Sequence, residues 1–153
     1  MTIDEVLAVL ERNFHCTIAS ATAGGEPWVT PVFFNFGPTL RFVFESARDS
    51  RHAQLIAANP RVAIAVGDMG HRGRPRGVYI EAEARETPPE DLERTLDLFV
   101  NGPHRKKIRR TPADYLGDKP LRLYEATPLR LYGLTQVRRD GYLIDVRLEV
   151  PLP

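Results

Sequence analysis

Cysteine is nearly missing from this chain. Cys16 stands alone, so no disulfide can close within the chain, and a metal site would have to draw on other ligand types. The histidines supply no such site, because His15, His52, His71 and His104 are scattered without metal-ligand spacing. No structural zinc is expected. Cys16 has apolar neighbours and only His15 beside it, and on a strand those two side chains point to opposite faces. A buried core thiol is favoured over a catalytic one. Long apolar runs are also absent, which argues against a membrane-crossing helix. The opening residues Met1-Thr2-Ile3-Asp4-Glu5 are acidic and lack the apolar core of a secretory signal. A cytoplasmic protein with no membrane partner is expected.

An excess of charge is missing as well. Lys and Arg number 21 against 20 Asp and Glu, a net charge of +1, so no global field gathers nucleic acid or anionic lipid. Anion recognition, if present, has to be local. The remaining composition, 42% hydrophobic and 27% charged over 153 residues, fits one globular domain spanning 1–153 rather than a disordered chain.

The periodicity changes along the chain. Thr2 and Glu5 have the spacing of a capping box, and Val6, Leu7 and Leu10 form a helical stripe up to Arg12. Phe14 to Thr22 and Trp28 to Phe36 read as strands around a glycine-containing hairpin turn. Gly37-Pro38-Thr39 then leads into a third strand, Leu40 to Glu45. Asp49 to Asn59 is a short helix ended by Pro60, Arg61 to Gly67 a strand, and Asp68 to Gly77 a basic loop. Val78 to Glu86 alternates, with Glu81 and Glu83 on its exposed face. Thr87-Pro88-Pro89-Glu90 has the form of a second capping box before a helix through Val100. Thr111 to Asp114 starts one further helical turn. Strands follow from Leu121 to Gln136, interrupted at Thr127-Pro128, and from Tyr142 to Val150, turned at Asp140-Gly141. Six or seven short antiparallel strands would leave open edges, so the fold class is mainly β, a small barrel with peripheral helices.

The segment Phe44-Glu45-Ser46-Ala47-Arg48-Asp49-Ser50-Arg51-His52 places two hydroxyls, two arginines and a histidine where a strand gives way to a helix. Two readings are open from these residues alone. Ser50 or Asp49 caps the helix and Arg51 is solvated, or the unpaired N–H groups and hydroxyls receive an anion.

Other clusters carry less. His104-Arg105-Lys106-Lys107-Ile108-Arg109-Arg110, with His71, Arg72, Arg74 and Arg76, suggests RNA binding. No aromatic residue is interleaved to stack bases, so a solvated loop is the expectation and no nucleic-acid partner. Ser20, Ser46 and Ser50 lack the surroundings of a hydrolase nucleophile.

The ordered series Thr30-Pro31-Val32-Phe33-Phe34, Arg41-Phe42-Val43-Phe44-Glu45-Ser46, Ser50-Arg51-His52, Asn59-Pro60-Arg61-Val62-Ala63 and Gly77 to Ala84 resembles the pyridoxamine 5'-phosphate oxidase-like family of FMN-binding split barrels, over roughly residues 3 to 135. The resemblance implies an antiparallel split β-barrel, a homodimer with FMN at its interface, and a flavin-dependent oxidoreductase acting on a small organic substrate or reduced nicotinamide. It places Ser46, Ser50, Arg51 and His52 around the cofactor phosphate and Trp28, Val29, Thr30, Pro31 and Val32 along the isoalloxazine ring, with Glu45 also among the cofactor-binding residues. Related split barrels hold deazaflavin or haem instead, and a non-catalytic flavin-binding module is a further alternative. Three departures stand out. His52 occupies a position where lysine is common, and Gly77 one where the oxidase proper carries glutamine. Leu143 to Glu149 offers no counterpart of the oxidase's substrate-holding arginine and histidine pair. Oxidation of pyridoxamine phosphate is therefore not expected.

Overall fold

A computed structural model describes residues 1–68 and 76–153. The chain forms α1 (Ile3–Arg12), β1 (His15–Ala21), β2 (Pro27–Phe36), β3 (Phe42–Ala47), α2 (Arg51–Ala58), β4 (Arg61–Asp68), β5 (Arg76–Glu86), α3 (Leu92–Asn101), β6 (Leu121–Arg139) and β7 (Tyr142–Val150), with short 3-10 turns at Pro89–Asp91 and Pro112–Tyr115. All recorded strand pairings are antiparallel. The order is β3-β2-β1-β4-β5-β6-β7, and β3 also pairs with β6, which closes six strands into a ring and leaves β7 outside it. The expected barrel is therefore present, with His71, Arg72 and Arg74 of the basic loop outside the described residues.

Inward residues of the ring fill it with apolar side chains: Ile18, Phe34, Phe42, Phe44, Ile64, Val78, Ile80 and Leu131 are buried, together with Val6, Val9 and Leu10 from α1. The thiol of Cys16 belongs to this core, and burial pushes it up to about 12, while His15 next to it is exposed. A second core lies outside the barrel, where Leu92, Leu96 and Phe99 of α3 cover Val43, Tyr115 and Leu123. Burying a side chain of this size contributes about 1.5–3 kcal/mol each, so both layers stabilise the ring from opposite sides.

Several local expectations hold for identifiable reasons. Thr2 and Glu5 form a reciprocal capping box. At the tip between β6 and β7, Asp140 and Gly141 both have positive φ, 50° and 86°, the backbone a two-residue hairpin turn requires. Two differ. Thr87 makes no capping box, because its N–H joins the sheet through Leu123 C=O and its hydroxyl is buried without a partner; α3 starts only at Leu92, after the Pro89–Asp91 turn. Thr127-Pro128 does not interrupt β6, which runs through. The ladder slips there, with Glu81 opposite Arg130 and Ala82 opposite Pro128, so Leu129 is bulged out and the proline's missing donor is absorbed. Among the described residues no helix is long and apolar enough to cross a membrane.

Candidate functional site

The ring is open at one seam. Strands β2 and β3 pair at only three positions, Phe34 with Phe44, Asn35 with Val43 and Phe36 with Phe42. Beyond Phe34 and Phe44 they part, leaving residues 27–33 of β2 and 45–47 of β3 without recorded pairing on the facing edges. The other edge of β2 stays fully laddered to β1 from Pro27 to Phe33. In that ladder Phe34 N–H donates to Phe14 C=O and Thr22 N–H to Glu26 C=O. By antiparallel alternation Trp28, Thr30 and Val32 turn their backbone groups to β1, and Val29, Pro31 and Phe33 turn theirs to the open seam. Proline suits such an edge, since it has no N–H to satisfy.

Across the seam, β3 ends and the chain turns into α2. Ser50 is the N-cap residue of that helix, its hydroxyl oxygen accepting from Ala53 N–H at 3.4 Å. His52, in the first turn, is only 8% exposed, and its Nε2 lies 2.6 Å from Ser46 Oγ and 3.3 Å from Ser50 Oγ. Burial lowers the imidazole's pKa, which favours a neutral ring. Arg51, the preceding residue, points outward and sets its guanidinium 4.5 Å from the centroid of the Trp28 ring. This cation–π contact spans from α2 to β2.

The structure thus gathers Ser46, Ser50 and His52 into one cluster and joins Arg51 to Trp28 beside it. The other expected residues are distributed differently. Thr30 is half-buried and Val32 lies in the core, opposite Ile18 and Cys16 respectively. Val29 and Pro31 are exposed. Val29 borders a shallow, mostly apolar hollow of about 310 Å³ on the outside of the barrel, with Ala19, Ala63, Ala65 and Tyr79. The Glu45 side chain does not join the cluster. Strand alternation sends it to the opposite face from Ser46, where its carboxylate accepts from the Tyr115 hydroxyl at 2.7 Å and approaches Arg110 at 3.9 Å.

Sequence reasoning missed Arg122 altogether and, though it counted Arg48 at the strand-to-helix junction, missed what Arg48 binds. Arg122 pairs across the ladder with Ser46, and its guanidinium reaches Glu86 at 3.0 Å and the carbonyls of Gly117, Lys119 and Leu121. Arg48 donates to Gly117 C=O. No local motif signals either role, because the β3 to β6 pairing is long-range. The basic run is also more ordered than a solvated loop: His104 is buried among Phe14, Phe33, Phe34 and Phe36, and Lys106 Nζ stands 4.5 Å and 4.6 Å from the Phe33 and Phe99 ring centroids. Among the described residues no group of three His, Cys, Asp or Glu side chains is arranged to hold a metal ion.

The chemistry of the seam suits a flat, polar-edged ligand with an anionic tail. Hydroxyls and helix N–H groups favour a phosphate, while the Val29 N–H and C=O groups and the Pro31 C=O offer hydrogen bonds along an open strand edge. The family model for pyridoxamine 5'-phosphate oxidase matches residues 2–134. The chain belongs to this family. Solved structures of similar fold include a pyridoxamine 5'-phosphate oxidase-related, FMN-binding protein from Nostoc punctiforme, 14% identical, TM-score 0.62, covering 95% of each chain. A FAD-binding protein from Mesorhizobium loti is 20% identical, TM-score 0.63, covering 87% of this chain and 94% of that one. A heme-binding protein from Mycobacterium smegmatis is 15% identical, TM-score 0.64, covering 91% of this chain and 55% of that one. No curated protein matches at the sequence level.

Proposed function

We propose that this family member is a cytoplasmic, homodimeric FMN-binding protein, and a flavin-dependent oxidoreductase acting on a small organic substrate or reduced nicotinamide. The observation that carries the reading is the cluster of Ser46, Ser50 and His52 at the N-terminus of α2, flanked by Arg51 and facing the open edge of β2. These side chains hold the phosphate: hydroxyls donate, the helix N-terminus supplies N–H groups and a favourable dipole, and Arg51 adds a planar fork of donors. Val29 and Pro31 present backbone groups to the polar edge of the ring, and Trp28 offers an aromatic face. When bound, FMN supplies the hydride and electron chemistry, which explains why no acid and base pair is needed in the seam.

Dimerisation is supported by the outer face of the barrel. Val29 is 60% exposed beside the apolar hollow, and an apolar surface of this kind is a common mark of protein contact.

The test is the visible absorption spectrum of the purified protein before and after FMN is added, with light scattering for size. A perturbed flavin spectrum and a dimer mass are expected. A Soret band on purification would replace flavin with haem. Failure to bind FMN would overturn the reading, and turnover with reduced nicotinamide separates an enzyme from a binding module.

A further inference from the structure

We propose, resting on the flavin reading above, that a phosphate monoester entering the cluster of Ser46, Ser50 and His52 is bound together with one proton, which His52 takes up at Nε2 as Ser46 turns its hydroxyl from the ring to the anion. The ligand-free geometry motivates this exchange. Nε2 is a single atom, and two hydroxyl oxygens approach it, Ser46 at 2.6 Å and Ser50 at 3.3 Å. The Ser50 oxygen already accepts from Ala53 N–H, so its own hydrogen is free to point at the ring. In the proposed neutral form an unprotonated Nε2 accepts from the Ser46 hydroxyl, with Ser50 the more distant second donor. Burial holds the ring in that neutral state.

A phosphate changes the accounting. It brings about −1.5 to −2 charges and only acceptor oxygens. Each serine has one hydrogen, which serves either the ring or the anion. A neutral ring whose Nε2 lone pair faces the same space would repel the phosphate oxygens, whereas a protonated Nε2 donates to them. The proton comes from solvent, and no covalent bond changes.

Charged side chains stand on the elements around the cluster. Arg51 on α2, Arg48 in the turn before it and Arg122 on β6 are the neighbouring cations. Asp49 is the acid of that turn, Glu86 on β5 is committed to Arg122, and Glu45 lies on the far face of β3. Trp28 of β2, which Arg51 contacts, carries no charge. With the site empty, burial is what disfavours a positive charge on His52, and Arg122 and Glu86 offset one another. A bound dianion would set an opposite charge beside the ring and favour its protonation.

The experiment is FMN binding followed by calorimetry in two buffers of different ionisation enthalpy, at about pH 7.5, above the phosphate's own second pKa of about 6. The wild type is expected to take up a large fraction of one proton per FMN, and His52→Lys, permanently charged, none. Affinity of the wild type should weaken as pH rises above neutrality, by up to about tenfold per unit, while the lysine variant stays flat. A measurement that needs no variant is the nitrogen NMR signal of His52 Nε2, which should move to its protonated position when FMN is added. FMN binding with no proton uptake and an unmoved Nε2 signal would overturn the linkage and leave the flavin reading standing. Absence of FMN binding at any pH would overturn both.

Discussion

Arg51 sets its guanidinium 4.5 Å from the centroid of the Trp28 ring, which ties the first turn of α2 to the open end of β2. The contact lies at the surface, where such pairs contribute about 0.5–1 kcal/mol to stability. Its expected importance is positional: it holds a charged fork next to the Ser46, Ser50 and His52 cluster. Arg51→Ala should therefore weaken FMN binding by about 10- to 100-fold, the value of one charge-assisted hydrogen bond, while the urea midpoint barely moves. Trp28→Ala should weaken binding less, by loosening Arg51. Fluorescence titration of FMN checks both. An unchanged affinity in Arg51→Ala would remove this residue from the phosphate site.

Much of this site was legible in the sequence, because hydroxyl and basic residues at a strand-to-helix junction already imply N–H groups awaiting a partner. Alternation also foretells that Glu45 and Ser46 face opposite sides, so the Glu45 side chain was separable from the cluster without coordinates. What was not legible is the seam. Nothing in residues 27–36 or 42–47 shows that their pairing stops at Phe34 and Phe44, since strand length does not reveal where two strands diverge. The fold followed from local signals where those were decisive, as at Thr2 with Glu5 and at Asp140-Gly141. It departed where tertiary contacts took over the same groups: Thr87 has the capping pattern, but its N–H is claimed by Leu123 across the sheet.

Glu125 is a buried carboxylate surrounded by three arginines. Arg85 Nε donates to its Oε1 at 2.8 Å, and Arg41 and Arg94 each reach Oε2 at 3.5 Å. The group links β5, β6, α3 and the residue that precedes β3 at one point. Glu125→Ala removes the carboxylate that all three arginines share and leaves them crowded around one point, so it should lower the urea midpoint more than loss of Arg41 or Arg94 does. Arg41→Ala and Arg94→Ala should each cost less than about 1 kcal/mol, because both are partly exposed and Arg85 remains. Equal losses for all three variants would contradict this hierarchy.

Asn35 is fully buried and spends its amide on the main chain. Its Nδ2 donates to Phe99 C=O at 2.9 Å and His104 C=O at 3.0 Å, and its Oδ1 accepts from His104 N–H at 2.9 Å. Asn35→Ala would leave a donor and two acceptors unpaired in the interior, at about 1–3 kcal/mol each before relaxation. Gly102 is fixed by the same contact, since a Cβ there would meet Asn35 Cγ at 2.6 Å and Leu98 O at 2.6 Å. Both Asn35→Ala and Gly102→Ala should lower the melting temperature by several degrees, visible in a thermal scan. Their losses should fall short of additive in the double variant, because they break one shared arrangement.

Acid should weaken the fold through its two buried histidines. Burial lowers the pKa of both His52 and His104 below the ordinary value of 6.5, so the unfolded chain binds protons that the folded chain refuses. The sign follows: their stability contribution is complete above the unfolded value and is lost as pH falls below it towards the depressed folded values. His104 is 2% exposed, ringed by phenylalanines, and its Nε2 has no hydrogen-bond partner. Urea unfolding followed from pH 8 to about pH 5 should show stability declining below about pH 6.5. His104→Phe should flatten part of that decline. A wild-type profile that is level down to about pH 5 would mean that both rings accept protons in place, which would also weaken the case for a neutral His52 in the ligand-free cluster.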